Sequence, residues 1–233
     1  MRAMILAAGR GERMRPLTDT CPKPLLPVGG HPLIVWHIRR LVQAGFRDIV
    51  INHAWLGDQI TAALGNGQAL GARLHYSPES PALETAGGIA HTLHFFQGEP
   101  FLVVNGDIWC DWDPARAHAQ AARLSAEHPA HLVLVDNPGH HPQGDFVLQA
   151  DGRVVPPGAA DAALTFAGIG LYHPSLFTDI NPELPAPLAP LLRSAMADRL
   201  VTGEHHAGQW ADIGTPQRLA QLDRALRNQL DPG

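Results

Sequence analysis

"AMILAAGRGERMRPLTDTCPKPLLPV", residues 3–28, begins as a short apolar run and passes directly into a loop of small, cationic and proline residues. The run reads as a buried strand, and the loop lies at that strand's carboxyl end, where open α/β sheets bind ligands. Downstream, "HPLIVWHIRRLVQAG" reads as a helix. Pro32 and Gly45 supply its start and stop signals, and Ile34, Ile38, Leu41 and Val42 its buried stripe. "DIVINH" then reads as strand, "LGDQITAALG" as helix and "ARLHY" as strand, which is a βαβ rhythm. "AGGIAHTLHFF" continues as helix, "PFLVVNGD" as a buried strand, Pro114 to Ala126 as helix and "HLVLVD" as strand. This alternation predicts an α/β fold, Rossmann-like and doubly wound, with a mostly parallel central sheet and helices on both faces.

The later third changes character. "DFVLQADGRVV" predicts a hairpin around Asp151-Gly152, "LTFAGIGLYH" a strand, and Leu188 to Ala197 a helix, so a small antiparallel section joins the parallel core. Thr215 and Pro216 open a last helix whose Leu219, Leu222, Leu226 and Leu230 share one face. "PPGAAD" and "NPELPAPLAP" are too short for interdomain linkers. One domain over residues 1–233 is expected, with no internal repeat.

Composition narrows the function classes. A 25.1 kDa chain that is 45% apolar can bury a full core. The first apolar run is too short for a signal peptide, and no run approaches a membrane span, so a cytoplasmic protein with no membrane partner is expected. Net charge −5 and no basic run argue against nucleic acid as a partner. Cys21 and Cys110 lack paired spacing and read as ordinary thiols. The fourteen histidines form no HExxH and read as surface or loop groups. Charge is nonetheless uneven: Arg2, Arg10, Arg13, Arg15 and Lys23 face only Glu12 and Asp19 in the first 23 residues, an excess suited to a small anion.

Within the opening loop, two familiar phosphate motifs fail. The third glycine of G-x-G-x-x-G falls on Met14, and Lys23 follows Pro22 rather than the glycine of a Walker loop. The remaining signal is low side-chain bulk at Ala7, Ala8, Gly9 and Gly11, which lets backbone N–H groups approach phosphate oxygens or simply gives a tight strand exit. Arg13 and Lys23 favour the former. Lys23 is the single lysine beside sixteen arginines and is clamped between Pro22 and Pro24, so a compact ammonium is wanted there. Asp107 ends the "FLVVNGD" strand and Asp212 lies in "QWADIGTP"; each suits a magnesium ligand or a turn-forming aspartate. In "LETAGGIAHTL", small residues opening a helix leave backbone groups available to a base edge or a sugar.

These stretches together resemble the sugar-1-phosphate nucleotidyltransferases. The family signature runs L-A-A/G-G-x-G-T-R-L/M-x-P-L-T and then P-K-P/A-L-L-P-V, and here Glu12 replaces the threonine. The resemblance implies that Ala7, Ala8, Gly9 and Gly11 wrap a triphosphate, with Arg13 and Lys23 as catalytic cations. It implies that Mg2+ is held by Asp107, in the family's G-D, and Asp212, in its W-x-D-x-G-T. Thr85, Ala86 and Gly87 match the base-contacting L-G-T-A/G-G loop, with Glu84 in place of its glycine. Asn105, Gly144 and Gly168 match the sugar-phosphate contacts, inside or beside an insertion over roughly 137–190. The family's E-K-P segment is missing, which places more weight on Lys23.

Among short members, "LETAGGI", "VVNGDI" and "TFAGIGLYHP" imply uridylyl transfer from UTP to N-acetylmuramate α-1-phosphate, with pyrophosphate as the second product, in peptidoglycan recycling. The alternatives are a mannose-1-phosphate guanylyltransferase, a glucose-1-phosphate thymidylyl- or uridylyltransferase, and a non-catalytic nucleotide-sugar-binding regulator. The resemblance covers the transferase core, so the core alone is expected, without the β-helix acetyltransferase domain of larger relatives.

Overall fold

The structure, a computed structural model, describes residues 1–158 and 161–230, with side chains as far as residue 228. β1 (Ala3–Ala7) leads through a loop of single 3-10 turns to the hairpin β2 (Pro27–Val28) and β3 (His31–Pro32). Next come α1 (Leu33–Gln43), β4 (Asp48–His53), α2 (Gly57–Leu64), β5 (Arg73–Pro78), α3 (Glu84–His91) and α4 (Leu93–Phe96). The middle of the chain gives β6 (Phe101–Asn105), β7 (Ile108–Cys110), α5 (Arg116–Ala121) and β8 (Ala130–Val135). The last third gives β9 (Val147–Leu148), β10 (Val154–Val155), β11 (Thr165–Tyr172), α6 (Leu188–Ala197), β12 (Val201–His205), β13 (Trp210–Asp212) and α7 (Pro216–Leu230).

Seven strands form the central sheet in the order β12-β8-β11-β6-β1-β4-β5. Only β11 runs against its neighbours; the pairs β1/β4, β1/β6, β4/β5 and β12/β8 are parallel. Strand alternation sends Ala3, Ile5 and Ala7 into the core on one face, with Ile34, Ile38 and Phe46, and Met4 into the core on the other, with Ile89, Phe96 and Phe101. Both faces are therefore covered, which is why β1 and β6 read as nearly unbroken apolar runs. The chain leaves β1 toward β4 and β5 on one side and later returns to β6 on the other. That reversal opens a crevice beyond the carboxyl ends of β1 and β6.

A third cluster sits beside the sheet. Met14, Leu26, Val28 and Leu33 pack with Trp109, Ile213 and the α7 leucines Leu219, Leu222 and Leu226. Met14 is fully buried, and burial of such a side chain contributes about 1.5–3 kcal/mol, so the opening loop is anchored through its apolar residues. Asp223 of α7 accepts a hydrogen bond from the Gly29 N–H at 2.8 Å, tying the end of the loop to the same helix. The Thr215 hydroxyl accepts the Arg218 N–H at 3.3 Å and caps α7 as expected. The side chain of Leu230 lies outside the described residues.

The Asp151-Gly152 hairpin, the strand across "LTFAGIGLY" and the helix Leu188–Ala197 all form. Two helices are shorter than their patterns predict. "AGGIAHTLHFF" breaks at Thr92, whose hydroxyl donates back to the carbonyls of Gly88 and Ile89 and draws the chain out of the α ladder. The Pro114–Ala126 helix is confined to α5, because the Ser125 hydroxyl gathers the N–H groups of Glu127 and His128 into a turn.

Candidate active site

The crevice beyond β1 and β6 is a cavity of about 440 Å3. The opening loop supplies one wall through Ala7, Ala8, Gly9, Gly11, Arg13 and Lys23; Asn105, Gly106 and Asp107 supply the facing wall. The loop is held rather than loose. The Gly11 carbonyl accepts the Thr18 hydroxyl at 2.8 Å and the Met14 N–H at 2.9 Å, and the Thr18 carbonyl accepts the Trp55 indole N–H at 2.9 Å. Arg10 lies over the Trp55 ring at 4.6 Å.

Lys23 is 8% exposed along its side chain, and its ammonium stands 2.8 Å from Asp107 Oδ2. Gly11 makes that possible: it adopts φ +70°, and a Cβ there would stand 3.0 Å from Thr18 Cγ2 and 3.3 Å from Lys23 Cβ. The other side of the pair depends on Gly106. A Cβ at that position would meet the Leu6 carbonyl oxygen at 2.6 Å, so only glycine lets the chain turn close over β1 and deliver Asp107 to the crevice.

Asp212 arrives from a separate part of the chain. β13 pairs antiparallel with β7 and sets Asp212 opposite Ile108, one residue from Asp107, while the Ile213 N–H donates to the Asp107 carbonyl at 2.8 Å. Asp212 Oδ1 is held by the Arg218 guanidinium and by His140 Nε2 at 2.9 Å. A Cβ on Gly214 would come within 3.0 Å of Asp212 Oδ2 and 3.1 Å of Arg13 Nη2, so the missing side chain leaves room between carboxylate and guanidinium. Arg13 is exposed and has no ion-pair partner among the described residues.

This donor set suits magnesium. Each carboxylate has one oxygen tied to a cation and another with no side-chain partner among the described residues, and Asp107 is 48% exposed along its side chain. Hard carboxylate oxygens, few in number and open to solvent, match an ion that keeps waters and takes phosphate oxygens as further ligands.

The segment expected to face the base, Thr85 to Gly87, is arranged differently. The N–H groups of Ala86 and Gly87 both donate to the Ala186 carbonyl, at 2.9 and 3.1 Å, so they are engaged by the chain itself, and both residues are buried. Thr85 and Glu84 line the cavity instead. Glu84 takes φ +57°, the left-handed backbone that a glycine adopts without cost, and a non-glycine residue there carries about 1–3 kcal/mol of strain. The support behind this wall has no counterpart in the sequence reading. Asn52 accepts the Ala7 N–H at 2.8 Å and donates to Glu79 at 2.7 Å; Glu79, itself buried, accepts the Leu83 N–H at 2.7 Å. Nothing local in "INHA" or "SPES" marks these groups, since they meet only once β4 and β5 are paired.

A second lobe of about 460 Å3 adjoins the first and shares Glu84, Thr85 and Asn105 with it. Its far walls are Asp145, Phe146, Phe166 and the α6 residues Leu188, Leu192 and Arg193. Neither Gly144 nor Gly168 lines either lobe. Gly144, at φ +66°, precedes Asp145, and Gly168, at φ +75°, lies against the Asn105 side chain in the irregular part of β11. Asn105 itself lines both lobes.

Away from the crevice, burial pushes the His37 imidazole down to about 4, against its hydrogen bond to the Ile108 backbone, and raises the Cys110 thiol to about 11. His37 lies beside Ile108 and Cys110, two β7 residues whose side chains face the core, on the strand that comes after Asp107. Cys21 and Cys110 are free thiols, as the spacing predicts. No helix among the described residues is long and apolar enough to cross a membrane.

The chain is 55% identical over 222 residues to an N-acetylmuramate alpha-1-phosphate uridylyltransferase of Neisseria meningitidis, covering 95% of this chain and 96% of that one. It is 37% identical to the enzyme of the same name from Caulobacter vibrioides, covering 96% of each. Among solved structures, a Bacillus anthracis protein described as a glucose-1-phosphate thymidylyltransferase superposes with TM-score 0.84 at 23% identity, covering 98% of this chain and 96% of that one, and supports the fold. The family model described as nucleotidyl transferase matches residues 2–229. With a family model spanning residues 2–229 and a 55% identical relative covering 95% of its length, the chain belongs to the nucleotidyl transferase family.

Proposed function

We propose that the chain transfers the uridylyl group of UTP to N-acetylmuramate α-1-phosphate, giving the UDP-sugar and pyrophosphate, as a step in peptidoglycan recycling. The observation that carries this reading is the 55% identity to the Neisseria relative of that name, sustained over 95% of the chain. An oxygen of the sugar phosphate attacks the α-phosphorus; one P–O bond forms, the bond to the β-phosphate bridge breaks, and pyrophosphate departs. The nucleophile is already an anion at neutral pH, so no general base is required. The barrier is electrostatic and positional.

The residues divide this task. The backbone of Ala8, Gly9 and Gly11 admits the triphosphate to close range, and Arg13, unpartnered among the described residues, offers a fork to its oxygens. Lys23 can turn from Asp107 to the incoming phosphate, because an ammonium carries three donors on a pivot. Asp107 and Asp212 would hold magnesium, which screens the phosphate charges and stabilises the leaving pyrophosphate. In the absence of ligands Lys23 and Asp107 neutralise each other; a phosphate would take the carboxylate's place beside Lys23, which would free Asp107 to hold the ion. Asn105 and Thr85, shared by both lobes, stand where the sugar phosphate and the nucleoside meet.

The test is pyrophosphate release with UTP, GTP or dTTP against N-acetylmuramate 1-phosphate, N-acetylglucosamine 1-phosphate, glucose 1-phosphate and mannose 1-phosphate. The highest kcat/KM is expected for UTP with N-acetylmuramate 1-phosphate. A preference for GTP with mannose 1-phosphate, or for dTTP with glucose 1-phosphate, would replace this assignment.

A further inference from the structure

The second lobe has two kinds of wall. Phe146, Phe166, Leu188 and Leu192 present apolar surface, whereas its charged residues are Glu84, Asp145 and Arg193. Asp145 is occupied on both oxygens: Oδ1 faces His141 Nε2 at 3.1 Å and Oδ2 accepts the Phe166 N–H at 2.9 Å. Glu84 stands at the junction with the phosphate lobe. Arg193, the sole basic side chain in the lobe, lies on the exposed face of α6 and has no hydrogen-bond or ion-pair partner among the described residues.

We propose that Arg193 is a specificity-determining residue that binds a carboxylate carried by the sugar, and that the adjoining apolar wall takes the methyl group beside that carboxylate. This rests on the uridylyl-transfer reading above and extends it to the chemistry that selects the acceptor. A muramic acid derivative differs from its glucosamine counterpart by a 3-O-lactyl group, which adds one carboxylate and one methyl. A guanidinium suits the first through two parallel N–H donors, and Phe146, Phe166 and Leu192 suit the second. An arginine with no internal carboxylate to satisfy keeps its donors for a ligand. It also works at a distance from the chemistry: the sugar reaches Arg193 past Asn105, while its phosphate stays with Lys23. Selection and transfer thus fall on different residues. Exposure to solvent limits the gain, because the pair is formed partly in water. Geometry and charge should therefore move affinity for one acceptor more than the rate of transfer.

The experiment measures kcat and KM of the full chain and of its Arg193→Ala, Arg193→Gln and Arg193→Lys variants, with UTP and either N-acetylmuramate 1-phosphate or N-acetylglucosamine 1-phosphate. The ratio of the two kcat/KM values, muramate over glucosamine, is expected to fall by about 2- to 5-fold in the Ala and Gln variants, mainly through the muramate KM. Arg193→Lys should recover part of the ratio. Circular dichroism of each variant checks that α6 is intact. An unchanged ratio, or equal losses on both acceptors, would overturn the carboxylate site while leaving uridylyl transfer in place. A wild-type chain that turns over the glucosamine substrate but not the muramate one would overturn both.

Discussion

The two lobes of the crevice are built by opposite strategies. The phosphate lobe takes most of its lining from one continuous stretch, Leu6 to Pro24, braced by β1 beneath it and by the apolar cluster around Met14 and α7. The second lobe draws on Glu84, Asn105, Asp145, Phe166 and Arg193, five places spread over more than a hundred residues. The difference reflects the ligand each must hold. Phosphates demand backbone N–H groups and cations at close range, which a tight, glycine-bearing loop provides locally. A sugar demands shape and a few scattered polar groups, which any arrangement of elements can supply.

The sharpest way to break the comparison is to remove the single ammonium. Lys23→Ala is expected to lower kcat by about 100- to 1000-fold with UTP and any accepted sugar phosphate, measured as pyrophosphate release. The loss should be indifferent to the sugar, in contrast to that at Arg193. A sugar-dependent loss would mean that the lobes are not separate in function.

A second effect concerns the strand next to Asp107. His37 is buried and neutral, and its proton affinity is lowered by folding from an ordinary histidine to about 4. Between about pH 6.5 and 4 the unfolded chain therefore binds the proton that the folded chain refuses. Stability is held above that window and lost as pH falls through it, by up to roughly 3 kcal/mol. Burial lowers His131 in the same direction. Urea unfolding midpoints at pH 7, 6 and 5 should fall accordingly, and a His37→Gln variant should show a flatter dependence.

The proposed magnesium site offers a third test. Chelation with EDTA should abolish turnover and magnesium restore it, and Asp107→Asn should raise the magnesium concentration for half-activity by about 10- to 100-fold. The smallest expected effect falls on Gly106. Gly106→Ala must displace the Leu6 carbonyl or the turn above it, costing about 1–3 kcal/mol in thermal unfolding, and should also lower activity because Asp107 moves with the turn.

The same contrast explains how much could be read from the chain alone. The sheet, the hairpin at Gly152, the Thr215 cap and the opening loop each rest on local signals: alternating burial, turn chemistry, a capping hydroxyl and a spaced run of glycines and cations. Lys23 stands out by composition, as one lysine among arginines. Asn52, Glu79, Arg218 and His140 leave no such trace, because their roles come from pairing across the fold. Ala86 and Gly87 show the reverse error. Small residues at a helix start look available, yet here Ala186, far along the chain, claims their N–H groups. Helix ends differ from their patterns where a hydroxyl, at Thr92 or Ser125, competes with the backbone.

The most direct measurement is a crystal structure of the chain with UDP-N-acetylmuramate and magnesium. The diphosphate is expected within hydrogen-bond reach of Lys23 Nζ, the ion on Asp107 and Asp212, and the sugar between Phe146 and Arg193. A diphosphate bound away from Lys23, or a uracil occupying the second lobe, would contradict this arrangement.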